Sequence, residues 1–139
     1  MHKLEIKVFL TADFANIDNS GKLNILGIFD SIFAKTFPAI HPQLYIVTKV
    51  VFDWGEFGED RNLVYKLFDP DGKQLMSVDR PFNVPSPKFG QTSEMNFITA
   101  LRDFPFERPG SYELRLFVDK DYKAVAKIEV KELPPRDEA

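Results

Sequence analysis

Apolar and polar residues alternate with a period of two over most of this chain, a spacing that suits strands and not helices. Leu4, Ile6, Val8, Leu10 and Ala12 alternate with Glu5, Lys7, Phe9, Thr11 and Asp13. Towards the other end, Tyr112, Leu114, Leu116 and Val118 alternate with Glu113, Arg115 and Asp119. In such a strand one row faces a core and the other faces water. Phe9 and Phe117 depart from this pattern, since each stands opposite its strand's main apolar row.

Turn residues divide the pattern into segments. Asp18-Asn19-Ser20-Gly21-Lys22 reads as a turn, with Gly21 free to take a positive φ. Residues 23–33 are more continuously apolar and β-branched, as expected of a strand covered on both sides. Pro38 and Pro42 make 36–43 a loop, 44–53 is a third strand, and 54–61 is a polar connection. Residues 62–68 and 73–80 form a hairpin around Asp69-Pro70-Asp71-Gly72. Pro81, Pro85 and Pro87 mark 81–90 as a connection between sheets, followed by strands over 92–101, from Tyr112, and over 122–132. No segment carries a sustained helical stripe. The expectation is an all-β fold, a mostly antiparallel sandwich of about eight strands in two sheets with little or no helix. One domain spans 1–133, and the polar, Pro-containing 134–139 is expected to be a flexible tail.

Composition narrows the function classes. With no cysteine, the chain has no disulfide framework, thiolate zinc site or cysteine nucleophile, and a reducing cytoplasm is the expected setting. The alternating Met1-His2-Lys3-Leu4-Glu5-Ile6-Lys7 is unlike a signal peptide, and no apolar run approaches a membrane span. A net charge of −3, with Lys and Arg scattered among Asp and Glu, speaks against nucleic acid as a partner. The two histidines, His2 and His41, lack the paired spacing of a zinc site, and no phosphate-binding glycine loop or nucleophile elbow is present.

Arg108-Pro109-Gly110-Ser111-Tyr112-Glu113-Leu114 resembles the tyrosine corner of immunoglobulin-like sandwiches, in which a hydroxyl ties a loop to the penultimate strand. The stretch from Thr11 to Asp30, with the later Asp-Pro-Asp-Gly and Pro-Gly-x-Tyr turns, resembles a family of small uncharacterised bacterial proteins. That resemblance implies an immunoglobulin-like fold and implies no activity.

Two groups of residues remain as candidate sites. Asp18, Glu59, Asp60, Asp119 and Asp121 fall in connections that a strictly antiparallel chain of the strands read above brings to one end, with Asp69 and Asp71 at the other. They are weak calcium candidates, because calcium takes six or more oxygens and Asp favours turns for its own hydrogen bonds. The stronger signal is apolar. Phe37 and Ile40 in one loop and Phe104 and Phe106 in another are expected to share the end away from Asp18, either plugging the bottom of the sandwich or forming an exposed patch, and 14 Phe imply a thick aromatic core or rings left over for a partner. With Phe9 and Phe117 they form the expected contact set of a non-enzymatic protein-interaction or assembly module. Calcium or carbohydrate binding is the alternative. No cofactor, membrane or nucleic acid is expected, and a small-molecule ligand less than a protein partner or a second copy of the chain.

Overall fold

The structure, a computed structural model, describes residues 4–87 and 92–134. His2 and the tail residues 135–139 lie outside the described residues, as do 88–91 of the connection read over 81–90. Within the described residues the chain forms β1 (Leu4–Ile17), β2 (Leu23–Phe29), β3 (Ser31–Ala34), β4 (Ala39–Phe52), β5 (Asp60–Phe68), β6 (Gln74–Asn83), β7 (Ser93–Phe106), β8 (Gly110–Val118) and β9 (Asp121–Glu132). One three-residue helical turn, Trp54–Glu56, links β4 to β5. The first sheet has the order β2-β1-β4-β7 and the second β3-β9-β8-β5-β6. All pairings are antiparallel except β3 with β9. A β4–β7 pair facing a β9-β8-β5 sheet, with a leading strand that crosses to run parallel to the last, is an immunoglobulin-like sandwich.

Alternation fills the interior. Leu44, Ile46, Val50 and Phe52 of β4 and Phe97 of β7 meet Leu63, Tyr65 and Leu67 of β5, Leu114 and Leu116 of β8, and Ile128 and Val130 of β9. A buried polar link crosses between the layers, a hydrogen bond between the hydroxyls of Thr48 and Tyr65. Burial pushes the Tyr65 phenol up to about 12, so the link keeps its proton at any ordinary pH.

The turns are built by their own side chains. In the β1–β2 hairpin the Asp18 carboxylate accepts from the Ser20 and Lys22 backbone N–H groups at 2.9 and 3.0 Å and from the Ser20 hydroxyl at 2.6 Å. Those donors, the Ser20 hydroxyl foremost, hold its pKa down at about 2. Asp69 repeats the device in the β5–β6 hairpin, accepting from the Asp71 and Lys73 N–H groups at 2.9 and 2.8 Å. Gly21 and Gly72 take φ of 84° and 87° at the matching position, which few other residues adopt. At the start of β8 the Tyr112 hydroxyl donates to the Arg108 carbonyl at 2.7 Å, which is the tyrosine corner the sequence resembles.

Two features of the sequence reading are corrected. Residues 23–33 are two strands, because the chain bends at Asp30 and leaves the first sheet for the second. That extra connection reverses the expected end-by-end grouping. Ile17 pairs with Leu23 at the end where β4 begins, whereas Leu63 pairs with Val118 at the end where β4 has finished and β5 starts. Asp18 therefore shares an end with Asp69 and Asp71, far from Glu59, Asp60, Asp119 and Asp121.

The second correction concerns β1. Its register on β4 shifts between Ile6 and Val8. A bulge moves every later side chain to the other face. Leu4 and Ile6 point inward, but from Val8 onward it is Phe9 and Thr11 that do so, leaving Leu10, Ala12 and Phe14 on the outer face. The straight apolar row in the sequence is split between two faces.

Two substitutions test this account. Tyr112→Phe removes the corner bond and leaves the ring, so denaturant unfolding should show a loss of about 1 kcal/mol. Arg61→Met should cost more. It strips the partner 2.6 Å from the fully buried Glu56 carboxylate, and breaking such a pair costs on the order of 3–5 kcal/mol. Equal stability of Arg61→Met and the unaltered protein would refute the role given to that pair.

Candidate functional site

Strand register fixes which side chains stand on the outside of the first sheet. Val8 is paired with Lys49, Leu10 with Val47 and Ala12 with Tyr45, and these point away from the core. Across β4, Tyr45 pairs with Ala100, Val47 with Ile98 and Lys49 with Asn96. Across β1, Ala12 pairs with Ile28 and Phe14 with Leu26. The outer face thus holds Ile28 and Leu26 of β2, Leu10, Ala12 and Phe14 of β1, Tyr45 and Val47 of β4, and Ile98 and Ala100 of β7.

This band carries no charge across all four strands. It ends on the Lys49–Glu94 ion pair, 3.2 Å, on one side and on Arg102 hydrogen-bonded to Gln43, 3.2 Å, on the other. The central strand is covered by its neighbours, but the edge is not: Leu26 is 68% exposed, Ile28 63% and Phe14 42%. Phe14 leans on the Tyr45 ring at 5.3 Å and so extends the exposed surface on to β4. Where β2 leaves β1, a depression of about 390 Å³ lies towards the second sheet, lined by Phe9, Leu10, Ile28, Phe29 and Ala126 and also by the polar Thr11, Asp30 and Lys127.

The sequence-derived contact set is scattered. Phe37, Ile40, Phe104 and Phe106 do share an end, since Ile40 pairs with Pro105 and His41 with Phe104, but it is the end where β4 begins, which carries Asp18, and not the opposite one. Phe106, however, is only 1% exposed, packed edge-on against the Tyr112 ring at 5.0 Å and the Phe104 ring at 5.1 Å. It plugs the bottom of the sandwich and is not a contact residue. Phe37 and Phe104 are half-buried against the same core, and Ile40 alone of the four is open to water. Burial lowers the pKa of His41, whose ring lies 5.4 Å from that of Phe29, so it is neutral near pH 7.

Phe9 is turned inward by the bulge and stacks on Tyr65, with centroids 6.0 Å apart and planes 8° apart. Phe117 does face outward, on the second sheet, half-buried between the Tyr122 ring at 5.4 Å and the Lys66 ammonium at 5.2 Å. Its surroundings are mixed, because Arg115 lies over Phe68 at 4.2 Å on the same face. A groove of about 590 Å³ beside Phe117 is lined by Asn62, Val64, Lys66, Asp119 and Lys120.

The carboxylates read as weak calcium candidates do not all come together. Glu56, Glu59 and Asp119 gather around Arg61, whose guanidinium supplies the positive charge there. Asp60 accepts from the Asn83 amide, and Asp18 is spent on its own turn. Among the described residues no three Asp, Glu or His side chains converge as metal ligands would.

Sequence reasoning missed Phe14, Leu26 and Ile28. The signal was present in residues 23–33, where both alternating rows are apolar. That pattern was read as a strand covered on both faces. The structure makes β2 an edge strand whose inner row, Leu23 and Ile25, is partly covered and whose outer row is bare.

No curated protein matches the chain. Among solved structures it resembles a Pseudomonas fluorescens alkylpurine DNA glycosylase, AlkC, bound to abasic-site DNA, with TM-score 0.54 and 8% identity, over 92% of this chain and 30% of that one. It also resembles a Listeria innocua β-glucosidase in complex with isofagomine, with TM-score 0.55 and 8% identity, over 94% of this chain and 16% of that one. The C-terminal domain of Wzt matches with TM-score 0.52 and 14% identity, over 94% of this chain and 75% of that domain. The chain spans less than a third of the glycosylase and of the glucosidase, and at these identities the likeness is one of fold alone. A family of unknown function (DUF6941) matches residues 7–131, and the chain belongs to that family.

Proposed function

We propose that this domain is a non-enzymatic protein-interaction or assembly module that docks through the outer face of its β2-β1-β4-β7 sheet. The observation that carries the reading is the uncharged band ending in Phe14, Leu26 and Ile28, each more than two-fifths exposed. Contiguous apolar surface rimmed by polar groups is the usual mark of a docking site, because covering a Leu or Ile from full exposure contributes about 1.5–3 kcal/mol. Single exposed residues such as Phe57 and Leu133 lack such neighbours on an element face and carry no comparable weight. The second sheet's outer face alternates rings with Lys66, Arg115 and Lys127, so it stays hydrated and suits docking less well.

A photoreactive phenylalanine analogue tests the reading in the native cell. Placed at Tyr45 on the outer face, it should give a discrete protein adduct, while the same analogue at Ser77 on β6 of the other sheet should give none. Adding Leu26→Lys and Ile28→Lys should abolish the Tyr45 adduct. Adducts at both positions alike, or at neither, would refute the assignment of this face.

A further inference from the structure

We propose that the occupant at the β2 edge is a second copy of this chain, added by antiparallel pairing of the two β2 strands about a two-fold axis through Leu26. This inference rests on the docking-face reading above, because pairing at the edge joins two such faces into one wider apolar surface.

β2 is an edge without protection. Sheet edges offer unpaired backbone groups to any other strand, and natural sequences blunt them with charge, proline, shortness or a cover. Three edges here are blunted. β3 has four residues. β6 carries Asp79, Arg80 and Pro81. β7 carries Glu94, Arg102, Asp103 and Pro105, and Arg80 reaches across from β6 to bond its Thr99 hydroxyl at 2.6 Å and its Ile98 carbonyl at 3.3 Å. The half of β1 that extends past β2 has Glu5, Lys7 and the bulge.

β2, Leu23–Phe29, has none of these: it is seven residues long and has no charge and no proline. Gly27 takes a φ of 70°, yet the register on β1 is the same on both sides of it, with Ala12 on Ile28 and Phe14 on Leu26. The strand therefore stays continuous and pairable.

Charge complementarity also favours self-pairing. The antiparallel register that uses the whole strand sets Leu23 against the second copy's Phe29 and Leu26 against its own equivalent. In that one register Lys22, just before the strand, lies opposite Asp30 of the second copy, just after it. The two-fold axis repeats the pair at the other end. Both residues are exposed, and neither has an ion-pair partner among the described residues. Opposite charges directly across an antiparallel pair favour the register, and like charges oppose it. Strand addition would then join the two four-stranded sheets into one, with the Phe14, Leu26 and Ile28 clusters meeting on a common outer face.

Sedimentation of the purified protein tests this from about 5 to 500 µM, the range in which a small interface dissociates on dilution. A monomer–dimer equilibrium is expected. Lys22→Asp and Asp30→Lys should each weaken it about tenfold or more, and the double variant should restore it, because the swap rebuilds both pairs. The chain has no cysteine, so Leu26→Cys is a clean reporter. It should form a disulfide-linked dimer on mild oxidation, while Ser77→Cys should not.

A monomer throughout the range, a dimer indifferent to the charge swap, or no crosslink from Leu26→Cys would each overturn the inference. If Tyr45 adducts form to a different protein while the purified chain stays monomeric, the docking face stands and self-pairing falls. If neither adduct nor dimer forms, both fall.

Discussion

A two-layer sandwich has two inner faces and two outer ones, and only the inner pair can be sealed from water by the chain itself. That limit governs how this sequence is disposed. The inner faces take Leu44, Ile46, Phe52, Phe97 and their counterparts from β5, β8 and β9, and the bottom is closed by Phe106 against Tyr112. Apolar residues beyond that capacity stay outside. A group of them lies on the first sheet, because the bulge after Ile6 swings Leu10 and Phe14 outward and β2 adds Leu26 and Ile28 beside them, while Phe33, Tyr122 and Val125 stand exposed on strands of the second.

Few polar side chains are buried among the described residues; the Ser93 hydroxyl and the Asn62 and Asn96 amide oxygens find no hydrogen-bond partner, but two links are made in full. Thr48 and Tyr65 bond one another across the layers, and Glu56 is held by Arg61 and by the Asp53 backbone N–H at 2.9 Å. Arg61 also draws Asp119 to the start of β5, whose Asn62 N–H donates to the same carboxylate at 2.9 Å. The end of the sandwich that looks acidic in sequence is thus a closed network around one guanidinium. The opposite end is fixed by local turn chemistry, Asp18 and Asp69 each organising a hairpin, with Arg108 joining Asp71 at 2.6 Å. Both ends are occupied by their own structural work, which leaves the sheet faces and edges as the surfaces with unspent interactions.

Edges and faces combine at β2. Lateral pairing is obligatory for a strand's backbone, but an edge strand meets that demand on one side only. Elsewhere charge, proline, brevity or the Arg80 cover blunts the free side. β2 combines an unblunted edge with the most exposed apolar side chains of the outer face, and that coincidence connects the fold to a docking role.

Much of the fold was legible in the residues. The alternating rows gave the strands. Gly21 and Gly72 gave the two hairpins, and Pro109-Gly110-Ser111-Tyr112 gave the corner. The number of rings allowed either a thick aromatic core or rings left outside it, and the structure shows both. Which rings they are was not legible. Phe9 and Phe106 carry the same side chain as Phe14, and only the bulge at Ile6 and the packing of Tyr112 send the first two in and the third out. Likewise, apolar residues on both rows of 23–33 are the same whether a strand is central or an edge. Sequence determined the elements because periodicity and turn preference are properties of neighbours along the chain. Tertiary structure decided the exposed surface because burial depends on which strand lies alongside, and one shifted residue exchanges the two faces.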